Sequence, residues 1–369
     1  MTKKLLIDPQ GFATQCIQTL AEHRLDISSL DETTLRTITS YLALEEFEDA
    51  NTDYLFCPTI NFAEVWLILK EPQDQDTPKT KLDKLPKWID TRGFEIWPNG
   101  GGLVHTSATI HESAYIEAGA FVYPEAQIGT GVSMASGAIV RERSRVGNYV
   151  YIQREVYIGQ DARVAEYVTL GQEAVVGEGA VVDSHCSFSA RSTIGAFTWV
   201  NSGCNVGVNS VVGNNCVLGG QVVLSGNIKV PVGTKIGSRT WIGDSVELGA
   251  GITIGCDVGI DRSSKIGART VITDNVEIGA HVEIGKRVYI GSHVEVKPEA
   301  VIMSDVMLYN GCEIGAKAHI GVGSIIEPDT IVPAEFFIDW YQRRGVPPVD
   351  KLKAQFKSRA EIKEVHNGN

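Results

Sequence analysis

Of the eight histidines in this chain, His185 has the company a general base needs. It sits in Asp183-Ser184-His185-Cys186, 18 residues after Tyr167 and 18 before Gly203. If the chain returns on itself every 18 residues, His185 lies beside Ser202 on an outer surface, with Glu166 and Tyr167 in the turn below. An imidazole titrates near neutrality, so it can take a proton from an amine or hydroxyl and later give it back. Glu166 is then the carboxylate expected to orient the ring. Tyr167, Asn201, Ser202, Asn205 and Gln221 are the groups offered to a polar substrate. The competing reading is one exposed histidine without a role. His281 shares the outward phase but falls on another side, and His293 lies six turns away, roughly 29 Å at one strand spacing per turn.

The 18-residue return follows from a shorter period. From Val104 to Val332, every sixth residue is apolar: thirty-nine consecutive stops, of which only Met134 and Phe188 are not aliphatic. Four residues after each stop comes a second register of mostly small or β-branched residues, such as Ala126, Ser144, Cys204 and Thr234; Ile228 and Ile252 are the larger ones. A six-residue period fits neither a helix nor a hairpin. It reads as a solenoid of short parallel strands, three hexads to a coil and about 13 coils. Glycine often follows the stop, as in Ile128-Gly129 and Ile236-Gly237, where it is expected to supply the backbone freedom of a tight corner.

This pattern resembles the hexapeptide-repeat acyltransferases, whose prism is a left-handed parallel β-helix; the left hand is implied by the resemblance alone. Within the repeat, the stretch Asn214 to Val222 is similar to one in the UDP-N-acetylglucosamine acyltransferases, and Leu224 to Lys229 extends the likeness to the related N-acyltransferases. The general-base histidine of the first group falls on Ser202 here and a second family histidine on Gln221, so both imidazoles are absent. His185 is the nearest replacement. The resemblance implies transfer of an acyl group from acyl-CoA or acyl carrier protein to an amine or hydroxyl of a sugar or amino-acid-like acceptor. The same resemblance implies direct attack, in a groove between the subunits of a homotrimer. Arg239, Arg262, Lys286 and Arg287 are candidate contacts for coenzyme A phosphates, with solvated cationic faces as the alternative. A non-catalytic scaffold or a ligand-binding pseudoenzyme is the competing class, supported by the missing histidines and by coils without an inserted loop.

The resulting fold class is mainly β: an N-terminal α/β domain over 1–100, a left-handed β-helix over 101–333 and a helical extension over 334–369. Residues 11–25 and 30–44 read as amphipathic helices, 62–69 as a strand, 70–84 as a charged linker and 349–365 as a basic helix. Asn99-Gly100-Gly101-Gly102 reads as a flexible entry to the first coil, and the phase is expected to stop at Pro333. A net charge of −12 argues against a general nucleic-acid binder. No apolar run of membrane-spanning length and no signal peptide is visible, so a cytoplasmic location is expected. Cys186, Cys204, Cys216 and Cys312 fall on the small inward register and read as buried free thiols, with a Cys186–Cys204 disulfide the lesser alternative. No zinc-ligand spacing appears, and no permanently bound cofactor is expected. Trp199 and Trp241 point outward, as subunit contacts would. Lys229, Glu247, Lys265 and Glu283 form a column of alternating sign. Glu277, Glu295 and Glu313 form a like-charged one, which suggests a cationic partner, an adjoining subunit or a bound ion, with surface lysines such as Lys297 the favoured answer.

Overall fold

Each hexad makes a two-residue strand that ends on the aliphatic stop, followed by a four-residue corner: Val181–Val182, then residues 183–186, then Ser187–Phe188. The computed structural model describes residues 92–341. The helices expected over 11–25, 30–44 and 349–365, the strand over 62–69 and the linker over 70–84 lie outside the described residues. Among the described residues there is no helix, and the body is a parallel β-solenoid. Its strands stack into three sheets, named here by their early stops: sheet I (Val104, Val122), sheet II (Ile110, Ile128) and sheet III (Ile116, Met134). Every parallel pair joins residue i to i+18, for example Val181 to Trp199 and Val182 to Val200. The coil arithmetic therefore holds along the whole ladder.

The two inward registers line the prism. All stops from Val104 to Val332 are buried except Ile110 and Leu248, which are half-buried against the core. Leu248 has a local cause. At other corners the amide after a stop donates to the stop carbonyl one coil on, as Gly213 N does to Val230 O at 2.9 Å. Pro231 follows Val230 and has no N–H, so the Leu248 carbonyl lacks that donor, and only Lys229 and Glu247 remain in register. The small register has a hydrogen-bonding role as well. Thr198, Ser210, Thr240 and Ser264 donate to the carbonyl 15 residues on, at 2.7–2.9 Å. Cys204, Cys216 and Cys312 make the same contact through sulfur at 3.0–3.1 Å, and Cys186 does so at 3.3 Å. All four are buried free thiols, as expected.

The glycine expectation needs correcting. Left-handed backbone occurs three residues after the stop, where 29 non-glycine residues adopt φ of 53–64°, so the corner does not depend on glycine. The glycines directly after the stop are not in that region. They are there because the next coil is too close: a Cβ on Gly195 would lie 2.5 Å from the Asn214 amide nitrogen, and one on Gly159 2.6 Å from that of Glu178.

Both ends of the repeat differ from the sequence reading. The Asn99–Gly102 segment is tied down rather than loose, because Gly102 N donates to Ile116 O and Ile116 N to Asn99 O, each at 2.9 Å. Trp97 Nε1 and Asn99 Nδ2 both donate to Ala114 O. Phe94–Ile96 pairs antiparallel with Leu103–His105 and covers the hydrogen-bonding edge where sheet I begins. At the other end the phase runs one hexad past Pro333: Phe337–Ile338 pairs with His319–Ile320, and Ile338 is buried. Phe336 occupies the small slot there and packs on the core. Among the described residues the ladder carries no further coil above this strand.

Candidate functional site

The corner between sheets II and III carries most of the expected site. Its left-handed positions stack at 18-residue intervals and include Tyr149, Tyr167, His185, Gly203, Gln221 and Arg239. Coil-to-coil hydrogen bonds hold the column: His185 N donates to Glu166 O, Gly203 N to Ser184 O and Gln221 N to Ser202 O. Because each left-handed residue projects in the same direction as the one below, three rings stack. Tyr149 and Tyr167 lie 5.3 Å apart and 13° from parallel, and Tyr167 and His185 lie 5.2 Å apart at 5°. Glycine bounds the stack at both ends. Tyr149 leans over Gly131, where a Cβ would come 2.8 Å from its ring, and Gly203 sets no side chain over His185. The next side chain up is Gln221, which leans toward Gly203, with Cγ 3.4 Å from where a Cβ would sit. The imidazole thus rests on tyrosine with its other face free of any side chain from position 203.

Ser202 donates its hydroxyl to Asp183 Oδ2 at 2.7 Å, and Ser184 N donates to Asp183 Oδ1 at 2.8 Å. These bonds, the Ser202 hydroxyl first, hold the Asp183 carboxyl below its usual value. Asn201 Nδ2 donates to Leu218 O at 2.8 Å, which fixes that amide against the backbone. Asn205 is exposed on the outer face of sheet III, just past the corner. Glu166 is exposed on the same corner, but among the described residues its carboxylate makes no hydrogen bond to the His185 ring. The ring contact His185 does make is the stack on Tyr167. Cys186 and Cys204 point inward behind this corner. Its hydrogen bond with Cys186, and then burial, raise the Cys204 thiol, and neither cysteine offers a surface nucleophile.

The four cations expected at coenzyme A phosphates are not brought together. Arg239 is on the II/III corner, three coils above His185, and clamps Asp257 through two bonds at 2.6 and 2.5 Å. Arg287 is on the I/II corner and clamps Asp305 at 2.6 and 2.7 Å. Lys286 precedes it there, and Arg262 lies on the III/I corner. His293 shares the II/III corner six coils from His185, and His281 is on the III/I corner. The alternating column from Lys229 to Glu283 is in register, and the Lys297 ammonium pairs with Glu295 within the acidic column. Trp199 and Trp241 are exposed.

One feature escaped the sequence reading. A shallow groove of about 460 Å³ runs along the outer face of sheet II, lined by Gln127, Arg145, Arg163, Val181, Asn148 and Asp183 among others. It borders the corner that carries the ring stack. Its signal was present as a near-repeat: Arg145-Val146-Gly147-Asn148-Tyr149 and Arg163-Val164-Ala165-Glu166-Tyr167 are 18 residues apart. Among the described residues no group of three or more His, Cys, Asp or Glu side chains is placed to hold a metal ion, and no helix is long and apolar enough to cross a membrane.

No family profile and no curated protein matches the sequence. Solved structures with a related shape include LpxA from Acinetobacter baumannii, 20% identical, with a TM-score of 0.24 over 49% of this chain and 69% of that one. The UDP-N-acetylglucosamine acyltransferase of Arabidopsis is 18% identical, with a TM-score of 0.16 over 70% of this chain and 79% of its own. The acetyltransferase domain of PglB from Neisseria gonorrhoeae, solved with acetyl coenzyme A, is 20% identical, with a TM-score of 0.18 over 30% of this chain and 54% of that one. At such scores these similarities carry no argument about chemistry; the hexad ladder itself defines this chain as a hexapeptide-type parallel β-solenoid.

Proposed function

We propose that the chain is an acyltransferase that uses His185 as general base. The observation that carries this reading is the imidazole stacked on Tyr167, with its other face toward side-chain-free Gly203, on a corner shared with Asn201, Ser202 and Gln221. The donor is an acyl thioester, acyl-CoA or acyl carrier protein, and the acceptor is an amine or hydroxyl of a sugar or amino-acid-like molecule. His185 takes the acceptor's proton as the nitrogen or oxygen attacks the thioester carbonyl. The C–S bond then breaks, and the leaving thiolate recovers the proton from the imidazolium, so no covalent enzyme intermediate is needed. Tyr167 and Glu166 belong to the base's surroundings, and Asn201, Ser202, Asn205 and Gln221 face the acceptor. Of the expected phosphate contacts, Arg262 and Lys286 have no carboxylate partner among the described residues, whereas Arg239 and Arg287 would have to exchange theirs. Left-handed winding, a homotrimer with Trp241 at a subunit contact, and a cytoplasmic location belong to the same proposal.

The test is turnover of acyl-CoA and acyl carrier protein thioesters against a panel of amine and hydroxyl acceptors, with His185→Ala beside the parent chain. Loss of a positioned base should cost about 10²–10⁴-fold in kcat. Full activity in the variant removes His185 from the mechanism. A second reading, a non-catalytic scaffold, is favoured by the absence, among the described residues, of any loop inserted between coils and of a carboxylate bonded to the ring. It prevails if no thioester is turned over.

A further inference from the structure

Arg145 and Arg163 are directly paired residues on neighbouring strands of sheet II, and both are exposed. Their side chains leave the sheet one strand spacing apart, about 4.8 Å. Like charges in that relation oppose each other. Elsewhere in the ladder, arginines related by 18 residues to a carboxylate are neutralised: Arg143 by Asp161, Arg191 by Glu173, Arg239 by Asp257 and Arg287 by Asp305. Neither Arg145 nor Arg163 has a carboxylate within salt-bridge distance among the described residues. Their column neighbours, Gln127 below and Val181 above, are uncharged. Asp161 lowers part of the field at Arg163 but is itself clamped by Arg143, and Asp183 at the groove's upper end is committed to Ser202 and Ser184. In a chain of net charge −12, two adjacent unpaired guanidiniums in a groove are the local exception.

We propose that this groove binds a phosphoanhydride, with Arg145 and Arg163 each holding one of two adjacent phosphoryl groups. Guanidinium forks match phosphate oxygens in bidentate fashion, and paired forks on one rigid sheet select two linked phosphates over one. Gly147 and Ala165 follow these strands, so the groove margin is low where the anion approaches. On the same sheet exposed Trp199 lies two strands above Arg163. A ligand that carries a flat ring beyond its diphosphate thus has a surface on which to stack. The inference does not rest on acyl transfer and holds if His185 is inert; coenzyme A is one member of the ligand class.

The test is calorimetric titration of the full chain at low ionic strength with inorganic pyrophosphate, ADP and orthophosphate. Pyrophosphate and ADP should bind saturably, and orthophosphate at least about tenfold more weakly, given the strength of charged hydrogen bonds. Arg145→Gln and Arg163→Gln should each weaken pyrophosphate about 10- to 100-fold on the same grounds. Arg163→Lys, which keeps the charge and loses the fork, should fall between. Arg269→Gln makes the same charge change on the I/II corner and should leave binding intact. ADP binding tighter than pyrophosphate, with the excess removed by Trp199→Ala, extends the site to a ring-bearing diphosphate. Absence of saturable binding by either diphosphate, equal binding of orthophosphate, or equal weakening by Arg269→Gln overturns the proposal.

Discussion

Alanine at Gly195 and at Gly233 should have very different costs, although both lie on the I/II corner two coils apart. Gly233 has φ of +73° and nothing within 4 Å of a built Cβ. Neighbours at the same hexad position, such as Phe197 and Asn215, carry side chains at φ of 55–56°. Gly233→Ala therefore costs only the left-handed preference, about 1 kcal/mol. Gly195 has ordinary backbone angles, but its Cβ would meet the Asn214 amide nitrogen, the Asn214 side-chain oxygen and the Gly213 carbonyl carbon, each at 2.5 Å. To reach an ordinary contact near 3.4 Å, the coil above must lift by roughly 0.9 Å. That strains the Gly195 N to Val212 O bond and the Ala196 N to Asn214 Oδ1 bond, both 2.8 Å long. Two weakened bonds at about 1 kcal/mol each, plus the displaced packing, give about 2–3 kcal/mol. Urea unfolding of both variants against the parent, compared at equal slope, measures the difference. Equal costs, or a larger one for Gly233→Ala, would refute the close-approach account of these glycines.

Phe188 is the one aromatic stop and is almost fully buried, so Phe188→Ala should lower stability by about 3–5 kcal/mol in the same assay. Because the folded value of Asp183 is depressed, its ionised form favours the fold. That contribution is complete above the usual value of 3.8 and disappears as pH falls through the lower folded value. Ser202→Ala should move the Asp183 carboxyl back toward 3.8 in an NMR titration, and an unchanged value would show that the 2.7 Å bond does not form. Under native conditions a thiol reagent followed by peptide mapping should label half-buried Cys256 well before Cys186, Cys204, Cys216 or Cys312. Early labelling of Cys186 or Cys204 would mean that the II/III corner opens.

Period alone determined the coil, its 18-residue return and the two inward registers, because each buried position in a solenoid repeats the environment of the one a coil below. The outward residues were legible to the same depth: stacking of Tyr167 under His185 and the pairing of Lys297 with Glu295 follow from position in the hexad. Counting modulo 18 would also have separated Arg239, Arg262 and Arg287 onto three corners and set Arg145 on Arg163. What only the tertiary structure decided were matters of contact. The glycine after a stop is set by how near the next coil's backbone comes, and the His185 ring stacks on Tyr167 without a hydrogen bond to Glu166 among the described residues. The phase survives Pro333, with Phe337 and Ile338 still paired to His319 and Ile320, whereas Pro231 in mid-ladder costs Leu248 its partner. A period specifies which residues become neighbours. The distance and direction at which they meet depend on backbone geometry summed over the coil, and no single hexad contains that information.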